Sequence, residues 1–258
     1  MVIVTWNVNS VRARQERLLR WLAEHQPDVL CLQELKAPDD QFPHEAVQAL
    51  GYHAAVHGQK TYNGVAILAR TPPQDVRCGL DDGEDDPQAR LISADVAGVR
   101  VLCAYVPNGS EPDSEKYVYK KRWLQRLRSY LERHHQPDQP LVLCGDFNIA
   151  PEAADAAHPE AWLGTVLYCP EMTAALAQLA SWGLQDAFRR VRPEPGLYSW
   201  WDYRMLGFQK NDGLRIDHVF ATAPLAALAR DGFMDRLERK GEQPSDHVPV
   251  GVDFAWPA

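Results

Sequence analysis

Apolar and polar positions change period along the chain, and each change marks an element. Residues 2–8 are almost continuously apolar and predict a strand. Over 12–26 the spacing becomes helical: Leu18, Leu19 and Leu22 share one face, with Arg14, Arg17 and Arg20 elsewhere. Pro27 ends that helix. Residues 29–32 read as a short buried strand that stops at Gln33-Glu34. A short helix is predicted over 43–50, then strands over 52–57, 64–69, 90–96 and 99–106. A second long amphipathic helix follows at 114–135. Another buried strand, 141–144, stops at Gly145-Asp146. Beyond it the pattern gives a helix at 170–182 and strands near 197–201, 215–222 and 248–254. Helices alternate with strands, yet several strands are separated only by turns. That combination predicts a layered α/β fold with mixed sheets. No Gly-, Pro- or Ser-rich linker divides the chain, so residues 1–258 are expected to form one domain.

A repeat is visible within this pattern. A basic helix, His25-Gln26-Pro27, Val29-Leu30-Cys31 and the acid Glu34 form one copy. A basic helix, His135-Gln136-Pro137, Val142-Leu143-Cys144 and the acid Asp146 form the other. Both copies end a buried strand in a carboxylate. Two such units facing each other would bring both acids to one edge of a sheet pair.

Composition adds constraints. The chain has 258 residues, enough to bury a core without staples. Hydrophobic residues make up 45% and charged residues 24%, the balance of a soluble globular protein. No apolar run, such as 221–229, approaches the ~20 residues of a membrane span. The first ten residues lack the basic and long apolar regions of a signal peptide. Five cysteines, an odd number without CxxC spacing, read as buried reduced thiols, and a cytoplasmic location is expected. The formal net charge of −8 taken alone argues against a nucleic-acid partner.

Polar clusters at or near strand ends carry the candidate chemistry. They are Asn7 with Asn9; Gln33, Glu34 and Lys36; Gly145 to Asn148; and Asp246-His247. A fifth, Arg215 to His218, lies within an expected strand. Crevices beyond strand ends are where α/β proteins bind ligands. Carboxylates and amides are hard ligands suited to Mg²⁺ or Mn²⁺. No zinc spacing, GxSxG elbow or P-loop is present. Metal-assisted hydrolysis of a phosphate ester is the chemistry that remains.

TWNVNS at 5–10, LQELK at 32–36, YVPNG at 105–109, GDFN at 145–148, SWWDYR at 199–204, GLRIDH at 213–218 and PSDHVP at 244–249 stand in order along the chain. The ordered set resembles the exonuclease III branch of the endonuclease/exonuclease/phosphatase superfamily. The resemblance implies a four-layered α/β sandwich of deoxyribonuclease I type, in which two packed mixed sheets are flanked by helices. It also implies 3′→5′ exonuclease, 3′-phosphatase and abasic-site endonuclease activity on double-stranded DNA, with Mg²⁺ as cofactor and Mn²⁺ as substitute. Under it Glu34 is the main metal carboxylate, and the metal set is drawn from Asn7, Glu34, Asp146, Asn148, Asp246 and His247. Asp146 orients or deprotonates the attacking water, Asn148 holds a phosphate oxygen, Tyr105 meets the phosphate or leaving oxygen, and Asp217 fixes the His247 tautomer. Asp146 and His247 stand as alternative bases.

DNA contact is expected from Asn9, Arg12, Lys36, Tyr62, Asn63, Asn108, Trp200 and Arg204, with Lys36 also able to pair with nearby acids. Aromatic residues beside Arg suit stacking on bases or sugar, and one of Trp200 and Trp201 is expected in the core. Seven bases between Lys116 and Arg133, against Glu115 and Glu132, form either a solvated helix face or a phosphate rail. In abasic-site enzymes of this resemblance a small residue precedes the aromatic–Pro segment. Here Leu167 stands there, and its bulk is expected to obstruct a flipped-out sugar and favour 3′-end processing. Two other readings compete: a superfamily phosphoesterase acting on lipid or RNA, and a silent nucleic-acid-binding regulator. The DNA-type motifs oppose the first and the intact acids the second. A monomer acting at 3′ ends, nicks or abasic sites, with no membrane partner, is expected. Four acids belong to the proposed site, and five between Asp81 and Asp86 read as a solvated loop. Without those nine the balance is 27 basic residues against 26 acidic, so the whole-chain charge does not describe the binding face.

Overall fold

A computed structural model describes residues 1–257. Its strands are β1 (Val2–Asn7), β2 (Val29–Gln33), β3 (His53–His57), β4 (Val65–Ala69), β5 (Gln74–Cys78), β6 (Leu91–Val96), β7 (Val99–Tyr105), β8 (Leu141–Asp146), β9 (Leu184–Asp186), β10 (Asp217–Thr222), β11 (Ala229–Met234) and β12 (Val250–Phe254). The helices are α1 (Gln15–His25), α2 (His44–Ala49), α3 (Glu115–His134), α4 (Pro159–Trp162), α5 (Pro170–Ala180), α6 (Ala187–Val191), α7 (Gly207–Lys210) and α8 (Ala223–Ala226).

The strands form two six-stranded sheets, ordered β11-β12-β1-β2-β4-β3 and β5-β6-β7-β8-β10-β9. In each, one parallel pair sits at the centre: β1 with β2, and β7 with β8. All other pairings are antiparallel. The two parallel pairs are joined through α1 and α3, so the sequence repeat is a pair of matching βαβ units. Alternation along each strand explains the layers. In β2, Val29 and Cys31 face the other sheet while Leu30 and Leu32 face α1. In β8, Val142 and Cys144 face inward while Leu141 and Leu143 face α3 and α5. Small and β-branched side chains fill the intersheet space, which suits sheets about 10 Å apart. The larger Trp21, Trp123, Leu127 and Leu176 pack beneath the helices. The arrangement is the expected four-layered sandwich. Among the described residues no helix is long and apolar enough to cross a membrane.

The strand expected at 197–201 is not formed. Trp200 makes single bridges to Leu214 and His247 instead, because residues 202–213 turn away through α7 and no second rung follows. Strands β5, β9 and β11 were not expected. β5 and β9 edge one sheet and β11 the other, so they lack the apolar alternation of a half-buried strand. Helix α1 starts three residues later than expected, because residues 9–14 form a turn that serves the site described below.

The acidic stretch 81–86 is a largely exposed loop, as expected, but it is clamped onto α3 by Asp82 and Asp86. Arg126 of α3 is bound by Asp82 and Asp86, at 2.6 and 2.8 Å, and Arg122 by Glu84. Arg133 donates to the Leu80 carbonyl at 2.9 Å, and Lys121 pairs with Glu171. Lys120 is fully buried, and burial pulls its ammonium down to about 7. Positive and negative runs that are distant in sequence largely neutralise each other in space.

Four cysteines are buried, Cys78 is exposed, and all five are free thiols. His218 is fully buried. Its Nδ1 meets Arg215 at 3.0 Å and its Nε2 meets the Ile149 carbonyl at 2.9 Å. Those partners suit a neutral ring that accepts at Nδ1 and donates at Nε2. Burial first, and Arg215 second, depress its pKa to about 4; burial and Arg100 do the same for His135. The unfolded chain takes up these protons near 6.5 and the folded protein refuses them. Stability is therefore expected to be intact above pH 6.5 and to fall as pH drops toward 4, by up to about 1.4 kcal/mol per pH unit for each ring. Urea unfolding of His218→Gln across that range should show a shallower acid slope. An unchanged slope would remove His218 from the acid response.

Candidate active site

The parallel pairs end at the same edge of the sandwich, and so do the chemistry-bearing residues. Asn7 closes β1, Glu34 follows β2, Tyr105 closes β7 and Asp146 closes β8. β10 runs antiparallel to β8, so its first residue, Asp217, lies opposite Asp146. The expected placement of Asp217 inside a strand is thus corrected to a strand start. β12 runs antiparallel to β1, which returns the preceding Asp246-His247 to the same edge. Only glycine fits before Asp146: Gly145 has φ +150°, and a Cβ there would lie 1.8 Å from the Ala104 carbonyl oxygen.

Asn7, fully buried, donates from its amide nitrogen to Glu34 Oε1 at 2.8 Å and to Asp146 Oδ2 at 2.9 Å. Its Oδ1 accepts from Asn9 N at 2.9 Å. So oriented, Asn7 spaces two carboxylates and does not offer them a further oxygen. Asp146 Oδ1 accepts from Asn148 N at 2.9 Å, and Asn148 Nδ2 donates to Val106 O at 3.0 Å and to Asp146 Oδ2 at 3.3 Å. Asn108, exposed, donates to Asn148 Oδ1 at 2.9 Å. His247 Nδ1 meets Asp217 Oδ2 at 2.8 Å, and its Nε2 faces Asp146 Oδ2 at 3.7 Å. Lys36 Nζ reaches Glu34 Oε2 at 2.9 Å and Asn9 Oδ1 at 2.5 Å. Asp246 accepts from Asn9 Nδ2 and Trp200 Nε1, both at 3.0 Å.

Burial and neighbouring charges act on both candidate bases. Burial pushes the Asp146 carboxyl well above the carboxylate range, and the Asp217 and Glu34 charges add to this. Burial alone would pull His247 down, but Asp217 and Asp146 overcome it and hold the ring protonated beyond neutral pH. Tyr105 also keeps its proton, through burial and the nearby Glu34 and Asp146 charges. Arg90 stacks 4.7 Å over its ring.

A carboxylate oxygen each from Glu34 and Asp146 and a ring nitrogen of His247 lie within 4.8 Å of one another. Two hard oxygen donors near Asp217 and Asp246 fit a divalent cation, whose charge would relieve their mutual repulsion. Asp246 lies outside that inner group, held through Asn9 and Trp200.

The expected DNA-contact residues fall into two sets. Trp200 is half-buried at the rim, edge-to-face with Trp162 at 5.7 Å, while Trp201 is in the core, so one of the pair is buried as expected. Tyr62 is 67% exposed and Arg204 lies free of the core, paired with Asp202 at 2.7 Å. Arg12 is exposed and donates to Gln41. Asn63, by contrast, is buried and donates to Gln59 and Gln88, bracing its loop. Leu167 is buried in the apolar cluster against which Trp162 and Trp200 pack. Three positioning groups were not singled out in the sequence. Ser245 Oγ donates to Asn7 O at 2.7 Å, and Ser199 Oγ accepts from Asp217 N at 3.1 Å. Arg14 ties the Asn9 and Pro244 carbonyls together. The two serines carried no signal beyond their place inside the ordered motifs, and Arg14 none beyond its place in a basic segment.

Comparison with known proteins agrees with this geometry. The family model described as endonuclease/exonuclease/phosphatase matches residues 4–247. The exodeoxyribonuclease III of Haemophilus influenzae is 36% identical, over 98% of this chain and all of that one. A Neisseria 3′ phosphatase, NExo (D146N), solved bound to a product DNA hairpin, is 44% identical with a TM-score of 0.95, covering 99% of this chain and 100% of that one. An AP endonuclease from Archaeoglobus fulgidus is 39% identical with a TM-score of 0.96, covering 99% of each chain. Fold, motif order and the converging acids agree with these matches: the chain belongs to the endonuclease/exonuclease/phosphatase family.

Proposed function

We propose that this chain is a Mg²⁺-dependent DNA-repair phosphoesterase. It removes nucleotides 3′→5′ from double-stranded DNA and hydrolyses 3′-phosphates, working as a cytoplasmic monomer of one domain, with Mn²⁺ able to replace Mg²⁺. The observation that carries this reading is the convergence of Glu34, Asp146, Asp217 and His247 at one sheet edge. Relatives named for these activities support it.

Glu34 and Asp146 would hold the cation, which supplies charge neutralisation at the phosphate when bound. The chain's own groups do the rest. Asp146, held in place by Asn148 N and the Asn7 amide, accepts a proton from the attacking water. His247, kept cationic by Asp217, faces the developing charge as a donor and is therefore no longer the favoured base. Asn148, with its amide hydrogens directed at Val106 and Asp146, fixes the carboxylate. Tyr105 keeps a phenolic hydrogen for the phosphate or leaving oxygen. Trp200, Tyr62, Arg12, Arg204, Asn9, Lys36 and Asn108 ring the opening and position the duplex backbone, while Asn63 serves by shaping the Tyr62 loop.

Leu167 sets the substrate balance in this reading. With Trp162 and Trp200 it fills space that an extruded abasic sugar needs. Leu167→Gly is expected to raise abasic cleavage relative to 3′-end removal by about tenfold or more, the scale of one apolar group in a pocket. The change empties part of a core, so stability should fall by about 2–5 kcal/mol, and Leu167→Ala provides a milder form. Abasic, 3′-recessed and 3′-phosphate duplexes with Mg²⁺ provide the test. Strong abasic cutting by the wild type sinks the Leu167 reading. Hydrolysis of a phosphoinositide with no action on any duplex sinks the DNA assignment.

A further inference from the structure

One buried ammonium joins three loops of the site. Lys120 lies in the first half of α3 and is completely buried. Among the described residues no carboxylate comes within ion-pair distance of it. A cation removed from water without a counter-ion is strongly disfavoured unless its hydrogens are all bonded. Lysine has three such hydrogens. Here Nζ donates to the carbonyl oxygens of Asn108 at 3.0 Å, Asn148 at 2.7 Å and Val166 at 2.7 Å. Each acceptor belongs to a different loop. The first follows β7, the second follows β8, and the third precedes α5 and carries Leu167.

Two further features fit this role. Asn148 has φ +51°, a left-handed turn that costs energy for a residue other than glycine, and its inward carbonyl is one of the three held by Lys120. Gly109 leaves room for the lysine stem: a Cβ there would lie 3.1 Å from Lys120 Cδ. A leucine or methionine would pack as well against the surrounding apolar cluster, but could not hold the three carbonyls.

We propose that Lys120 is a positioning residue for phosphoester hydrolysis, fixing Asn148 against the Asn108 and Leu167 loops so that Asp146 meets the substrate in one arrangement. The proposal rests on the phosphoesterase reading of the site. Its test compares wild type, Lys120→Met, Asn148→Ala and the double variant on a 3′-recessed duplex with Mg²⁺. Circular dichroism and thermal unfolding establish that each is folded. Lys120→Met is expected to lower kcat roughly 30-fold, the scale of a small misplacement of reacting groups, and to leave KM within about threefold. In the Asn148→Ala background the same change should cost under about threefold, because both act through one carboxylate. Lys120→Gln, which keeps part of the donor capacity, should recover part of the rate. Wild-type silence on the duplex overturns the phosphoesterase reading and this proposal with it. An active wild type beside a folded Lys120→Met protein of normal kcat overturns the proposal alone, as does a loss that multiplies fully with that of Asn148→Ala. If neither Lys120 variant folds, Lys120 serves the fold only and the proposal fails.

Discussion

Asp146→Asn is expected to lower kcat on a 3′-recessed duplex by about 10²–10⁴-fold, the usual contribution of a positioned general base, and to leave the fold intact. The two side chains have the same shape. The bond from Asn148 N to Oδ1 survives the change, and so does the packing of a residue only 1% exposed. What disappears is the ability to take a proton from water. The site also loses one of four acids that crowd together, which offsets the loss of the two bonds that Asn7 and Asn148 Nδ2 make to Oδ2, where an amide nitrogen would stand. Thermal unfolding should therefore shift by only a few degrees while single-turnover hydrolysis collapses. Near-normal turnover in the folded variant would remove Asp146 from the mechanism.

His247→Ala should fail in two separable ways. The rate should drop by about 10²–10³-fold or more, because a preorganised charged donor at the phosphate is lost. Stability should drop as well. Asp217 is fully buried, its Oδ2 is bonded to His247 Nδ1, and its Oδ1 has no partner at all. Removing the imidazolium leaves a buried carboxylate uncompensated, a loss of about 3–5 kcal/mol. Adding Asp217→Ala removes that charge, so the double variant should regain stability without regaining activity. Chemical denaturation beside single-turnover kinetics reads both effects. Parallel recovery of stability and rate in the double variant would show that His247 acts through the fold alone.

The layers were legible in the sequence because the continuous apolar runs of β2 and β8, buried on both faces, and the 3.6-residue stripe of α1 and α3 each leave a pattern. The site was legible for a related reason. Its acids end apolar runs, so Glu34 and Asp146 stand out where Val-Leu-Cys stops. Edge strands left no such signal: β5 is exposed along its whole length. Charge was the least legible property. Arg126 and Asp82 are far apart along the chain, and nothing in a linear count pairs them, so the clamps within this exposed loop left no signal. Lys120 was read as one member of a basic face for the same reason. Sequence places it on a helix, but only the fold turns it inward onto three carbonyls.

In the proposed function this sheet edge hydrolyses DNA with a divalent cation held by Glu34 and Asp146. Its most direct test is nucleotide release from a 3′-recessed duplex by EDTA-treated protein during a Mg²⁺ titration, for wild type and Glu34→Gln. Expected are no release without the ion, saturable recovery in the wild type, and a requirement for far more Mg²⁺ in Glu34→Gln, which loses a charged ligand. Undiminished nucleotide release in EDTA would contradict this function.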